Sequence, residues 1–128
     1  MAEPTVAVAK VLSDLLVECG EDFVEVWSVM WMVRYELCDG DYPADVYERT
    51  DRTQVRRLAL EVIAAALERG VRAGFYSDAC LGEYPPPLWS GSPVEVMARL
   101  VAEWVALEHE PSMGELAGFT SLPRMTAE

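Results

Sequence analysis

Apolar residues recur at helical spacing along most of the chain. In the first predicted helix, between Thr5 and Gly20, they share one face: Val8, Leu12, Leu15, Leu16 and Cys19. The next segment, residues 22–37, is apolar nearly all round between Phe23 and Val33, which is typical of a helix buried on most sides. We therefore expect this second helix to be the spine of the core.

Two further helices carry clear start and stop signals. Asp51 opens the third with a capping-box pattern, and its apolar positions repeat at helical spacing as far as Gly70. Ser92 is an N-cap for the fourth, Pro93 stands at its first position, and the apolar pattern lasts to about His109. Both segments are predicted to be helices.

The remaining apolar segments are short. Strands are predicted at residues 71–77 and 116–122, and these two could pair, whereas the loop of residues 78–91 contains three consecutive prolines. The predicted fold is mainly α, with a four-helix core and a small antiparallel β-hairpin in a single domain, residues 1–128. Three helices followed by strands also leave a winged-helix-like arrangement open.

The four tryptophans fall into two groups. Trp27, Trp31 and Trp104 lie on apolar faces of predicted helices, so we expect them in the core. Trp89 follows the prolines in a loop, and the sequence leaves it open between a lid on the core and an exposed anchor.

Negative charge dominates the composition. The chain has 22 acidic and 10 basic residues, a net charge of -12, and residues 14–51 alone carry eleven acidic and two basic residues. Such a field repels nucleic acid and anionic membranes and attracts basic partners. Hydrophobic residues make up 52% and the mean hydropathy is +0.09, so the acidity does not indicate disorder.

Location follows from what the sequence lacks. Its longest apolar stretch, Phe23 to Val33, is interrupted by polar residues and is well short of the roughly 20 residues of a membrane span. The N-terminus does not resemble a secretory signal, so we expect a cytoplasmic protein without a membrane partner. Cys19, Cys38 and Cys80 favour reduced thiols, with a Cys19–Cys38 bridge as the alternative.

Signatures of catalysis or metal binding are not found in the sequence. His109 is the only histidine, its position near a helix C-terminus favours a capping role, and no nucleophile or phosphate-loop motif occurs. Asp39, Asp41, Asp45 and Glu48 lie within ten residues, but without the spacing of a calcium loop. We expect no enzyme activity, metal or cofactor; an enzyme without a recognisable motif is the alternative.

The loop that contains these four carboxylates, which we call the acidic loop, is the best candidate binding site. Its tyrosines alternate with carboxylates, and aromatic area combined with charge-assisted acceptors suits an arginine-rich protein surface. The alternative is a plain surface loop. The predicted partner-binding residues are Asp39, Asp41, Tyr42, Asp45, Tyr47 and Glu48.

One basic segment contrasts with this field. Five arginines lie between residues 52 and 72, against two glutamates, and would suit a winged-helix-like transcriptional regulator that reads DNA with its third helix. However, Arg57 with Glu61 and Glu68 with Arg72 stand at i, i+4 spacing, which favours neutralisation along the helix. With a pI of about 4.4, we expect no sequence-specific DNA binding at physiological salt.

The last third of the chain resembles a group of small acidic actinobacterial proteins. The shared pattern comprises Trp89, Ser92-Pro93, Glu95, Glu103-Trp104, Pro111 and Gly114-Glu115 before Phe119. The resemblance implies an immunity protein, the antitoxin of a contact-dependent growth inhibition or other polymorphic toxin system. Such a protein binds and blocks the C-terminal domain of a cognate toxin, here expected to be basic and a nuclease. The motif transfers no site residue, and Gly118 departs from it where a bulkier residue is expected.

Overall fold

Five helices and three short strands make up the computed structural model, which describes residues 6–75 and 87–122. The helices are α1 (Val6–Cys19), α2 (Val26–Leu37), α3 (Val46–Arg49), α4 (Arg52–Glu68) and α5 (Pro93–Leu107). The strands are β1 (Val24–Glu25), β2 (Arg72–Gly74) and β3 (Gly118–Thr120). The structure confirms the mainly α prediction, and no helix within the described ranges has the length and apolarity needed to cross a membrane.

The core lies where α1, α2 and α4 pack against one another, with α5 against α4. Helical spacing explains it, because each helix sends one apolar stripe to the same interior. The side chains of Leu15, Val29 and Ile63 are fully buried there, one from each of the three central helices. This packing holds the segments before and after α2 in place.

Capping sets two of the helix starts as predicted. Asp51 Oδ1 accepts the backbone N–H groups of Thr53, at 2.7 Å, and Gln54, at 3.1 Å. The Ser92 hydroxyl accepts the Glu95 N–H at 3.2 Å, and the Glu95 carboxylate accepts the Ser92 N–H at 3.1 Å. Hydrogen bonding of the Glu95 carboxylate to the Ser92 backbone N–H, and then to the Ser92 side chain, lowers the pKa of Glu95 below its ordinary value of 4.5. The first, third and fourth predicted helices are thus confirmed as α1, α4 and α5.

The start of the second helix is a correction. It begins at Val26 rather than Asp22, because Val24 and Glu25 form a strand that pairs with Phe119 and Gly118 of β3. The sequence did not reveal this strand, because two residues are too few to interrupt the helical period of the apolar stretch.

The sheet contains three antiparallel strands in the order β1-β3-β2. The predicted pairing of the two later strands is confirmed, with Ala73 opposite Phe119. The strands are shorter than predicted, and residues 76–77 lie outside the described residues. A strand after the first helix and a central last strand resemble winged-helix connectivity, with α5 inserted between β2 and β3.

Of the three tryptophans predicted in the core, only Trp104 is buried. Trp104 is 4% exposed and Trp89 is 8% exposed, so Trp89 belongs to the core. The backbone N–H of Trp89 donates to the Ala73 carbonyl at 2.7 Å. Trp27 and Trp31 are only half-buried, which corrects their placement in the core. The Trp31 ring contacts Tyr42 and Tyr47 of the following loop, and the Trp27 indole N–H donates to the Glu25 carboxylate.

The thiols are reduced in the described part of the chain. Cys19 and Cys38 are both free, so the alternative of a bridge between them is wrong. Burial, and then the charge of Glu18, raises the pKa of Cys19 to about 12, and its Sγ lies 3.5 Å from the Phe119 carbonyl. Cys80 lies outside the described residues.

Gly118 is required by close packing at the centre of the sheet. A Cβ atom there would lie 2.6 Å from the Phe23 ring and 3.0 Å from the Val24 carbonyl oxygen. A bulkier residue, as the resemblance leads one to expect, would not fit in this chain, and β3 forms with glycine at this position.

We expect Gly118→Ala to destabilise the fold by about 1–3 kcal/mol, because overpacking displaces the Phe23 ring or the strand. The measurement is urea unfolding of the single variants, Gly118→Ala and Phe23→Leu, and of the double variant. The cost of Gly118→Ala should be smaller in the Phe23→Leu background. An equal cost in both backgrounds would contradict the assigned clash.

Candidate partner-binding surface

The acidic loop, residues 38–51, reverses the chain between α2 and α4. The Cys38 N–H donates to the Arg34 carbonyl at 3.0 Å, and the Gly40 N–H donates to the Tyr35 carbonyl at 2.9 Å. Asp39 and Gly40 both have positive φ angles, 56° and 80°, which Asp tolerates and Gly favours. The turn sends the loop back along the outward side of α2.

A short helix, α3, anchors the second half of the loop, and the sequence analysis missed it. Val46 is buried, and the Thr50 hydroxyl donates to its carbonyl at 2.7 Å. On the exposed side, Arg49 pairs with Asp45 at 2.9 Å. Four residues carry too little periodicity for a helix prediction, so Val46 among polar residues was the only signal.

Four rings form an aromatic cluster on this surface: Trp31, Tyr35, Tyr42 and Tyr47. Trp31 meets Tyr42 and Tyr47 edge to face, with ring centroids 5.8 and 5.5 Å apart, and Tyr42 lies 4.7 Å from Tyr35. Tyr42 and Tyr47 are nevertheless 55% and 51% exposed. The cluster therefore presents aromatic area to solvent while ring contacts restrict its motion.

A buried arginine, Arg34, packs against two rings of the aromatic cluster. The Arg34 side chain is 1% exposed, and its guanidinium lies 4.9 Å from the centre of the Tyr47 ring and 5.4 Å from that of Trp31. It forms an ion pair with Glu110, which follows α5 and is partly exposed. The Arg34 Nε atom is buried without a hydrogen-bond partner. The sequence signal for this role is a single arginine directly after the apolar stretch that ends at Val33.

The predicted carboxylates are all exposed and spread along the loop. Asp45 pairs with Arg49, whereas Asp41 accepts the backbone N–H of Tyr42 at 2.8 Å. In the ranges that the structure describes, no three His, Cys, Asp or Glu side chains are grouped closely enough to hold a metal ion. The structure thus places all six predicted residues on one loop, but only Tyr42 and Tyr47 share the ring contacts of the cluster.

Helix α1 adds carboxylates that the sequence analysis did not include. Asp14 and Glu18 line shallow hollows between α1 and α2, and Tyr42 lines both hollows from the loop. Partial burial, then Tyr35 and then Glu18, raises the pKa of the Tyr42 phenol. We call this combined surface, Asp14, Glu18 and the acidic loop, the acidic face.

The basic segment is organised differently. The Arg56 guanidinium lies 5.2 Å from the centre of the Trp104 ring, beside a hollow of about 310 Å³ that Arg52 and His109 also line. The expected Arg57–Glu61 and Glu68–Arg72 pairs are not among the ion pairs of the described residues, and Arg72 donates instead to the Trp89 carbonyl at 3.1 Å. The arginines of α4 are thus less neutralised than their spacing indicated.

Known proteins provide no assignment. The chain matches no family model, no curated protein and no solved structure. The residues of the resemblance have structural places: Trp89 and Trp104 are buried, Ser92 and Glu95 cap α5, and the Gly114 N–H donates to the Glu25 carboxylate at 2.7 Å. The surface must therefore be interpreted from its own chemistry.

That chemistry is suited to binding a basic surface. Exposed rings supply apolar contact area, and carboxylates accept charge-assisted hydrogen bonds from arginine or lysine. The sole histidine is engaged elsewhere, with its Nε2 atom 3.1 Å from Glu115.

The two partners of the buried ion pair should contribute unequally to stability. Glu110→Gln leaves the Arg34 charge buried and unpaired, so we expect a loss of about 3–5 kcal/mol. Arg34→Met places an apolar side chain between the same rings and leaves Glu110 near water, so we expect a loss of only about 1–2 kcal/mol. Urea unfolding monitored by tryptophan fluorescence measures both.

The double variant provides the control for this prediction. Arg34→Met with Glu110→Gln should be more stable than Glu110→Gln alone, because the unpaired buried charge is gone. Equal losses for the two single variants, with additive loss in the double variant, would contradict the account of Arg34.

Proposed function

We propose that the protein is an immunity protein that binds a cognate basic toxin domain and blocks it by steric and electrostatic occlusion. The observation that carries this proposal is the aromatic cluster, in which Tyr42 and Tyr47 are half exposed yet held by Trp31 among carboxylates. Rigid aromatic residues are the usual anchors of protein interfaces. The resemblance of the last third of the chain to immunity proteins supports the same class.

Preorganisation supports this proposal energetically. Association loses binding free energy when interface side chains must be ordered, at about 0.5–1.5 kcal/mol for each rotamer-rich side chain. The contacts of Trp31 with Tyr42, Tyr47 and Arg34 order these rings before a partner arrives. An interface of about 1,600 Å², the standard size, would extend well beyond the cluster.

The negative charge of the acidic face indicates which class of partner we propose. A nuclease binds phosphate through arginine and lysine, so its active-site surface is basic. The acidic face would accelerate encounter with such a domain and then occupy it, and the inhibitor itself needs no catalytic group. The proposal therefore makes this protein a binding protein and not an enzyme, acting in the cytoplasm where a nuclease toxin would act.

A transcriptional regulator is the second candidate, because the strand order β1-β3-β2 resembles winged-helix connectivity. Its DNA-reading surface would be α4, with Arg52, Arg56 and Arg57. Against it stand the net charge of -12 and the contact of Arg56 with Trp104, which draws one arginine toward the core. The two candidates use different surfaces, so the location of binding separates them.

The test is binding to a toxin domain encoded immediately upstream. At low salt, we expect Asp39→Asn, Asp41→Asn and Glu48→Gln together to lower the association rate about fivefold, because electrostatic steering depends on local charge. The matched control is Glu61→Gln, Glu68→Gln and Glu108→Gln, which removes the same charge and should lower the rate by less than about twofold. Each set contains one residue with positive φ, Asp39 or Glu108, and spares the paired Asp45.

Growth provides the second readout. Cells that produce the toxin domain should survive when they also produce this protein. Equal slowing by the two variant sets would remove the acidic loop from the interface, whereas absence of both binding and protection would contradict the immunity assignment.

A further inference from the structure

Two hollows lie side by side between α1 and α2, on either side of Tyr42 and Met32. The larger, of about 420 Å³, is lined by Glu18, Trp27, Ser28, Trp31, Met32 and Tyr42. The smaller, of about 330 Å³, shares Glu18, Met32 and Tyr42 and adds Asp14, Val17 and Tyr35. Both hollows therefore combine aromatic walls with carboxylates at the rim.

The walls of the larger hollow are fixed. The Trp27 indole N–H donates to the Glu25 carboxylate at 3.1 Å, and the other oxygen of that carboxylate accepts the Gly114 N–H at 2.7 Å. Trp31 is held by its edge-to-face contacts with Tyr42 and Tyr47. Such rings can receive a ligand without first having to become ordered.

The carboxylates of the hollows have no cationic partner among the described residues. Across residues 6–75 and 87–122, neither Asp14 nor Glu18 forms an ion pair. An anionic rim over aromatic faces favours a cation, which the negative face of a ring and a carboxylate both attract.

The protein itself shows which cation suits this chemistry. On α2, the Arg34 guanidinium already lies over the Trp31 and Tyr47 rings while it pairs with Glu110. The larger hollow offers an equivalent set of groups, with Trp27, Trp31 and Glu18, but contains no arginine of its own. A planar guanidinium stacks on rings and bonds a carboxylate in a bidentate manner, which a lysine ammonium cannot do.

We propose that the larger hollow is a binding pocket for an arginine side chain of the partner protein, with the guanidinium on the Trp27 and Trp31 rings and paired with Glu18. This inference rests on the proposed function for the identity of the partner. It adds to that function the specific residue type that is bound and a pocket outside the acidic loop. The smaller hollow, with Asp14, extends the same anionic rim toward the N-terminal part of α1.

The test uses a short peptide and does not need the toxin. The ¹⁵N-labelled protein is titrated at low salt with acetyl-Gly-Arg-Gly-amide, and the indole N–H signals of Trp27 and Trp31 are followed by NMR. A single side chain has too few atoms for tight binding, so we expect saturable shifts with a millimolar dissociation constant. The same peptide with citrulline, which is nearly isosteric but neutral, should bind at least about tenfold more weakly.

Variants locate the pocket. Glu18→Gln should weaken binding of the arginine peptide at least about threefold, and the exposed control Glu61→Gln should leave it unchanged. A third peptide carries lysine in place of the arginine. Binding of the citrulline peptide or of this lysine peptide as tight as that of the arginine peptide would overturn the proposal. Shifts confined to α4, or the absence of saturable shifts at Trp27 and Trp31, would also overturn it.

The two proposals fail separately. If the arginine peptide binds at this hollow and the upstream toxin domain neither binds nor kills, the pocket stands and the immunity function fails. If the protein neutralises the toxin but the peptide leaves both indoles unchanged, the function stands and the pocket fails.

Discussion

The ion pair between Arg34 and Glu110 is the interaction on which the candidate surface depends. It joins α2 to the segment after α5, and the guanidinium also contacts Tyr47 at the start of the acidic loop's short helix. A charge that is 99% buried is costly unless its surroundings satisfy it together, and here the Nε atom still has no partner. The ion pair and the ring contacts of Arg34 together join α2, α3 and the segment after α5.

The small sheet supplies the second constraint. Its central strand comes from the C-terminal part of the chain and pairs with a strand directly before α2 and another directly after α4. Gly118 permits this approach, since a side chain there would collide with Phe23. The segment after α5 is therefore held at two points: Glu110 pairs with Arg34 of α2, and β3 pairs with β1 and β2. These contacts support the aromatic cluster and the hollows.

Local signals predicted much of the fold. Apolar periodicity identified α1, α4 and α5, and the starts of α4 and α5 are also marked by short-range capping hydrogen bonds that the sequence encodes directly. The two-residue strand β1 was missed because it depends on its distant partner β3, and the four-residue helix α3 was missed because it is too short to show a period. Trp31 was assigned to the core because its apolar neighbours indicated burial, but the loop that packs against it leaves the ring partly exposed.

The candidate site was only partly visible in the sequence. Clustered acids and tyrosines identified the loop, whereas the placement of Glu18 beside Tyr42 needs the packing of α1 on α2. The role of Arg34 likewise required knowledge that Glu110, 76 residues away, reaches it. Long-range contacts of this kind are set by tertiary packing, and no local pattern in this chain reports them.

Hydrogen exchange of the protein, free and in the presence of the proposed partner, a toxin domain encoded immediately upstream, tests the central claim most directly. The account predicts slower amide exchange on binding across residues 39–49 and around residues 14–18, with residues 52–61 of α4 unchanged. Protection confined to α4, with the acidic loop and α1 exchanging as in the free protein, would contradict it.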